Sequence, residues 1–198
     1  MRALLSIFIW SFLFTFLTAQ EQKESSLNYV DLQDEVIIDH FNRGENNYRP
    51  KKVRDPIQNV PIIETKPGAS KVFLIDFDGH WLKDRFWLVV SANREVDSVE
   101  LSPSSFSAEE IDIIVDIIYE DFIMLDINIT TSEEVYRNTP VFSRQRLVVS
   151  PTYKWQDFTP GGVARLNSFG RSDSPAFSFV HYSEDPAWIA ETCSHELG

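Results

Sequence analysis

The chain ends in the residues His195-Glu196-Leu197-Gly198, which match the start of the zinc-binding pattern His-Glu-x-x-His. In this pattern two His residues four positions apart lie on one helix face, so both imidazoles can bind the same ion. The Glu beside the first His can then remove a proton from an attacking water. The pattern indicates His195 as a zinc ligand and Glu196 as a general base. Because the second His would follow Gly198, we expect the chain to be a fragment that ends inside the motif.

A His-Glu pair can also be an ordinary solvent-exposed pair on a helix, so its context matters. Asp185 is a suitable helix N-cap, and Pro186 suits the first helical position, where a missing N–H costs nothing. A helix that begins there carries His195 about three turns from its start. A capped helix that follows several strands is the context that the zinc pattern requires.

Cys193 is the only cysteine, so the chain can form no internal disulfide. It lies two residues before His195 and could be a third metal ligand. However, Ile189, Cys193 and Leu197 recur at a spacing of four residues, which is typical of the apolar side of a helix. We therefore interpret Cys193 as a buried core residue.

The N-terminus has the pattern of a secretory signal peptide. Arg2 supplies a positive charge, the stretch 3–17 is almost wholly apolar, and Thr18-Ala19 offers a small-residue cleavage site. The apolar stretch is too short for a comfortable membrane span, and no later segment is long enough. We predict a signal peptide over 1–19 and a secreted, extracellular protein with no membrane attachment once the signal is removed.

Residues 20–70 are polar, weakly periodic and punctuated by prolines, which indicates a pro-segment or linker. The whole chain has a net charge of −12. Such an acidic surface repels phosphate backbones, so we expect no nucleic-acid partner. It could collect calcium, but the chain has no EF-hand loop, so calcium is only a secondary cofactor candidate beside zinc.

A globular pattern begins at Lys71 and continues to Gly198. Ser107 followed by Glu110 is a capping box, and the apolar residues after it follow helical spacing. Short apolar runs rich in β-forming residues, most of them bounded by turn residues, predict strands at 72–76, 86–90, 126–131, 146–150, 163–169 and 177–180. The strand at 126–131 alternates polar and apolar residues, as a half-buried strand does, and contains the glycosylation sequon Asn128-Ile-Thr130. Together these elements predict an α+β fold.

Four stretches, in this order along the chain, resemble secreted, mostly bacterial, reprolysin-like zinc metallopeptidases of the metzincin type. The stretches are Phe73-Leu-Ile-Asp-Phe-Asp-Gly-His80, Glu120-Asp-Phe-Ile-Met-Leu-Asp-Ile-Asn-Ile-Thr-Thr131, Gly161-Gly-Val-Ala164 and Ser194-His-Glu-Leu-Gly198. The resemblance covers about residues 71–198 and implies an incomplete metallopeptidase catalytic domain. Cys193 stands where the family often has a smaller residue.

The resemblance implies a mixed β-sheet packed on a long helix and on the zinc-binding active-site helix, with protein or peptide substrates. By the match, His195 is the first zinc ligand and Glu196 the general base; the other two His ligands and the Met-turn would follow Gly198. The family also suggests that an edge strand binds an extended substrate by strand addition. The residues in question are Gly161, Gly162, Val163 and Ala164. An ordinary hairpin turn that leads into a core strand is the equally good alternative for this stretch.

Two other function classes compete with the peptidase. Asp76-Phe77-Asp78-Gly79 after an apolar strand is also the shape of the nucleophile motif of haloacid-dehalogenase-like phosphatases. His80 replaces the Thr usual in that motif, and we prefer a turn in which both carboxylates bond backbone N–H groups. The non-enzyme alternative is a secreted homologue or binding protein without catalysis. The remaining His residues, at positions 40, 80 and 181, lack ligand spacing to His195.

Overall fold

The structure, a computed structural model, describes residues 36–38, 59–90, 96–156 and 159–198. The expected signal peptide, most of the expected pro-segment and His40 lie outside the described residues. The elements from Lys71 onward belong to a unit that runs from Ile37 to Gly198. No helix in the described ranges is long and apolar enough to cross a membrane.

The described residues contain eight strands, four α-helices and a 3₁₀ helix at Val141–Ser143. The strands are β1 (Val36–Ile38), β2 (Lys71–Asp76), β3 (His80–Leu82), β4 (Val99–Leu101), β5 (Ile127–Thr130), β6 (Arg144–Ser150), β7 (Gly162–Arg165) and β8 (Ala176–Phe179). The helices are α1 (Arg85–Val90), α2 (Ala108–Phe122), α3 (Glu133–Asn138) and α4 (Pro186–Leu197).

Six of the described strands form one sheet in the order β1-β7-β8-β6-β2-β5. Neighbours from β8 to β5 run parallel, whereas β7 is antiparallel to β8. β3 and β4 form a separate antiparallel hairpin. The structure is therefore α+β with a mostly parallel sheet, which confirms the predicted class.

Helices α2 and α4 pack together on one face of this sheet. Ser107 caps α2 as predicted: its hydroxyl accepts from the N–H of Glu110, and the Glu110 carboxylate accepts from the N–H of Ser107 at 2.8 Å. The apolar face of α2 is fully buried at Ile111, Ile114, Val115 and Ile118. The core therefore lies between the two helices and the sheet.

The predicted strand at 86–90 is wrong, because this stretch forms helix α1. The Asp84 carboxylate accepts from the N–H of Phe86 at 2.8 Å, and the Asp84 carbonyl accepts from the N–H of Leu88. These bonds start a helical turn that buries Trp87, whose indole N–H donates to the carbonyl of Pro175. A five-residue apolar run has no periodicity that distinguishes a strand from a helix, and tertiary contacts decide the outcome.

The prediction that β5 is half-buried is also wrong, since all four of its residues are buried. The segment before β2 covers its outer side: the N–H of Thr65 donates to the carbonyl of Ile129, and the Asn128 amide donates to Glu64. Asn128 is 1% exposed and also accepts from the N–H of Lys66. The sequon at Asn128 is therefore inaccessible to a glycosyl transferase in the folded chain.

Candidate functional site

The His-Glu pair lies in the last turn of helix α4. The helix begins as predicted, with the Asp185 carboxylate accepting from the N–H of Ala187 at 3.0 Å and Pro186 in the first turn. His195 is exposed to solvent, whereas Glu196 is only 7% exposed. Helix α4 therefore presents the imidazole to solvent and turns the carboxylate toward the sheet.

Ile189 and Cys193 face the core from α4, which confirms the interpretation of Cys193 as a core residue. Burial raises the pKa of the Cys193 thiol to about 12. The Cys193 side chain packs in the core, whereas His195 is exposed, so the two side chains do not share a site in this conformation.

The described residues do not form a metal site around His195, the expected zinc ligand. Within the described ranges, no three His, Cys, Asp or Glu residues are placed to hold a metal ion together. His80 lies beside Asp76, while His181 stacks on Tyr153 with ring centroids 3.9 Å apart. A zinc site at His195 therefore needs further donors from outside the described residues.

Strand β7 contains the stretch expected to bind substrate. Gly162 pairs with Ser178 and Val163 with Phe177 of β8, while the carbonyl of Gly161 accepts from the N–H of Phe179. The strand does not continue to 169, because Asn167 adopts a left-handed backbone (φ 57°) and a turn follows. β7 lies between β8 and β1, so in this structure it is not the sheet edge that the sequence suggested.

A second group of charged residues surrounds Asp76 at the end of β2. The Asp76 carboxylate accepts from the guanidinium of Arg146, which lies on the neighbouring strand β6. The other end of the guanidinium donates to both carboxylate oxygens of Glu133 on α3, at 2.8 and 2.7 Å. His80 Nδ1 lies 3.6 Å from Asp76 Oδ2. Arg146 thus bridges two acids, and the expected turn with backbone N–H partners for Asp76 is replaced by this ion pair.

Burial dominates the electrostatics of this group. It raises the pKa of Asp76 to about 7 against the attraction of Arg146, and the neighbouring Asp78 carboxylate adds to the rise. Burial and Arg146 together lower the pKa of His80 to about 4, so this imidazole is neutral at neutral pH. A phosphatase nucleophile must reach a phosphate as a free carboxylate. Asp76 is 4% exposed and bound to Arg146, which argues against that role.

The raised pKa of Asp76 predicts a stability that falls as the pH rises. Its folded-state pKa lies above its value of 3.8 in the unfolded chain, so its contribution is fully present below pH 4 and is lost between about pH 4 and pH 7. A rise of this size corresponds to a loss on the order of 4 kcal/mol. Urea unfolding of the wild type and Asp76→Asn across this range measures it, because all other carboxylates cancel in the difference. Parallel pH curves for the two proteins would mean that Arg146 keeps Asp76 ionised throughout.

No family model, curated protein or solved structure matches this chain. The likeness to metzincin-type peptidases therefore rests on the quoted sequence motifs, and the activity that it implies is a proposal.

Sequence reasoning missed the partners that fix Asp76. Arg146 was assigned to a strand but given no role, and Glu133 lies in a helix that was not predicted. The run Arg144-Gln-Arg146 places two arginines on one face of a strand, which is a signal for ion pairing on that face. In the structure both arginines form ion pairs: Arg144 with Asp173 at 2.6 Å, and Arg146 with Asp76.

Proposed function

We propose that this chain belongs to a secreted zinc endopeptidase whose remaining zinc ligands follow Gly198. The observation that carries the proposal is the placement of the pair His195-Glu196. The two residues end a capped helix that is packed on a mostly parallel sheet, with the imidazole in solvent and the carboxylate held against β7. An exposed His-Glu pair without function would not require the Glu side chain to be buried at a strand.

Each residue of the pair has one role in this proposal. His195 contributes one imidazole nitrogen to the ion, and its exposure leaves room for further ligands. Zinc, when bound, polarises the scissile carbonyl and favours ionisation of the attacking water. Glu196 takes the proton of that water on a carboxylate oxygen and passes it to the leaving amine. The core position of Cys193 keeps its thiol out of this chemistry.

Substrate binding by strand addition is part of the proposal and meets one constraint. An extended peptide would pair with the side of β7 that faces away from β8, and β1 occupies this side in the structure. Val36–Ile38 belongs to the segment expected to be a pro-segment. A peptide can therefore pair with β7 only after β1 has left it.

The test of this function is to read the coding sequence past the codon for Gly198. We expect a His at the next position and another about six residues later, as the metzincin pattern requires. In parallel, zinc titration of the 198-residue chain should show only weak binding, because His195 is one ligand of an incomplete set. Stoichiometric submicromolar binding would show that the ligand set is wrong. A stop codon after Gly198 would contradict the peptidase.

A secreted protein without catalysis is the second candidate. The packing of Glu196 against Gly162 is compatible with it, because this contact does not itself require catalysis. Such a protein would keep the sheet and helix α4 but bind a partner rather than hydrolyse it. The same reading of the coding sequence distinguishes the two candidates.

A further inference from the structure

Gly162 lies so close to helix α4 that a side chain at its position would force its neighbours to shift. A β-carbon built on Gly162 would lie 2.6 Å from Glu196 Oε1, 2.8 Å from Glu196 Cγ and 2.8 Å from Thr192 Cγ2. Real β-carbons essentially never approach other heavy atoms closer than 3.0 Å. The bare α-carbon of Gly162 therefore forms the surface against which the side chain of Glu196 rests.

Neither partner can easily withdraw from this contact. Glu196 and Thr192 lie one turn apart on the same face of α4, and both are buried. The Thr192 hydroxyl donates to the carbonyl of Trp188 at 3.0 Å, which fixes its methyl group toward β7. On the other side, β7 is held by the pairing of Gly162 with Ser178. A shift of either element would break backbone hydrogen bonds or open the core.

We propose that Gly162 is a positioning residue for Glu196: the glycine backbone fixes where the carboxylate lies. The catalytic part of this inference rests on the proposed peptidase function, whereas the contact itself does not. The sequence suggested that these glycines admit a substrate backbone. The side of Gly162 that a β-carbon would fill is instead occupied by Glu196 and Thr192 of helix α4, so the close approach is internal to the protein.

The contact can be tested without activity, on the 198-residue chain. Gly162→Ala should lower Tm by about 5 °C or more, because the new methyl group pushes against Glu196 and Thr192. In a Glu196→Ala background the same substitution should cost clearly less, because one of the two obstructing side chains is gone. The matched control is Val163→Ala, a buried neighbour whose side chain points to the opposite face of β7. Its cost should be the same with and without Glu196. Equal costs of Gly162→Ala in both backgrounds would overturn the contact.

The positioning role is tested by kinetics in the protein extended past Gly198. Gly162→Ala should lower kcat by about 100-fold at nearly constant KM, as expected when a catalytic group is displaced by about 1 Å. Glu134→Gln, an exposed substitution on α3, should leave kcat within a few-fold of the wild type. Adding Thr192→Ser to Gly162→Ala removes the obstruction by the Thr192 methyl group but not the one by Glu196, so Tm should recover in part while kcat stays low.

The outcomes separate the two hypotheses. If kcat recovers together with Tm, then Gly162 serves packing alone and the positioning role is overturned. If the extended wild type hydrolyses no peptide, then the proposed function fails, and the Tm comparison in the Glu196→Ala background still decides whether Gly162 holds Glu196.

Discussion

Glu196→Gln in the zinc-loaded protein extended past Gly198 is expected to reduce peptide hydrolysis by about 10³-fold or more, with zinc content and Tm unchanged. The amide is isosteric with the carboxylate but cannot accept the proton of the attacking water. Loss of a positioned general base typically removes a factor of about 10²–10⁴.

The structure predicts that this substitution leaves the fold intact. Glu196 fits against the α-carbon of Gly162, and Gln has the same shape up to its last atoms. The zinc ligand His195 is the exposed neighbour and is not altered. Activity should therefore fall while the protein stays folded and keeps its zinc. Steady-state kinetics and metal analysis of the same sample can show this.

Glu134→Gln is the control, since Glu134 is also a helical Glu but is exposed and lies on helix α3 rather than beside His195. It makes the same change of charge and should leave kcat/KM within about two-fold of the wild type, because surface substitutions rarely act on a distant site. If the Glu196 variant keeps full activity, then Glu196 is not the base. If both variants lose activity equally, then the effect is one of net charge.

The elements that the sequence predicted correctly have local signals. Ser107 and Glu110 cap α2 reciprocally, and Asp185 with Pro186 starts α4; both arrangements depend on residues within one turn. The periodicity of Ile111 and Ile118 identifies the buried face in the same way. These signals act over a few residues and do not depend on the rest of the fold.

The features that escaped prediction depend on contacts between distant parts of the chain. Asp76 and Arg146 are 70 residues apart and meet only because β2 and β6 are neighbours in the sheet. Gly162 signals a close approach, but the neighbour that approaches, Glu196, is set by how α4 packs on β7. The helix at 85–90 replaces a predicted strand for a similar reason, because its burial is decided by Pro175 and other residues far along the chain.

Arg146→Met is expected to destabilise the chain by about 3–5 kcal/mol at pH 8, which is the cost of leaving one partner of a buried ion pair alone. Its guanidinium connects Asp76 on β2 with Glu133 on α3, and the side chain of Asp76 is 3% exposed. Without Arg146 the ionised Asp76 has no cation beside it. Either water must reach the carboxylate through a local opening of β2, or Asp76 must bind a proton. The loss should be smaller at pH 5, where a protonated Asp76 needs no cation.

Arg137→Met provides the matched control for Arg146. Arg137 also pairs with Glu133, at 2.7 Å, but its side chain is 74% exposed. An exposed pair contributes about 1 kcal/mol or less, so this variant should unfold at nearly the wild-type urea concentration.

Adding Asp76→Leu to Arg146→Met should recover most of the lost stability, because the buried charge is then absent. Glu133 is still paired with Arg137 and in contact with solvent in this double variant. An equal loss for the two arginine variants would show that the Asp76–Arg146 pair is solvated in the folded protein. A loss for Arg146→Met that Asp76→Leu does not relieve would instead assign the effect to the Arg146 side chain packed over Tyr136, 4.8 Å from the ring centroid.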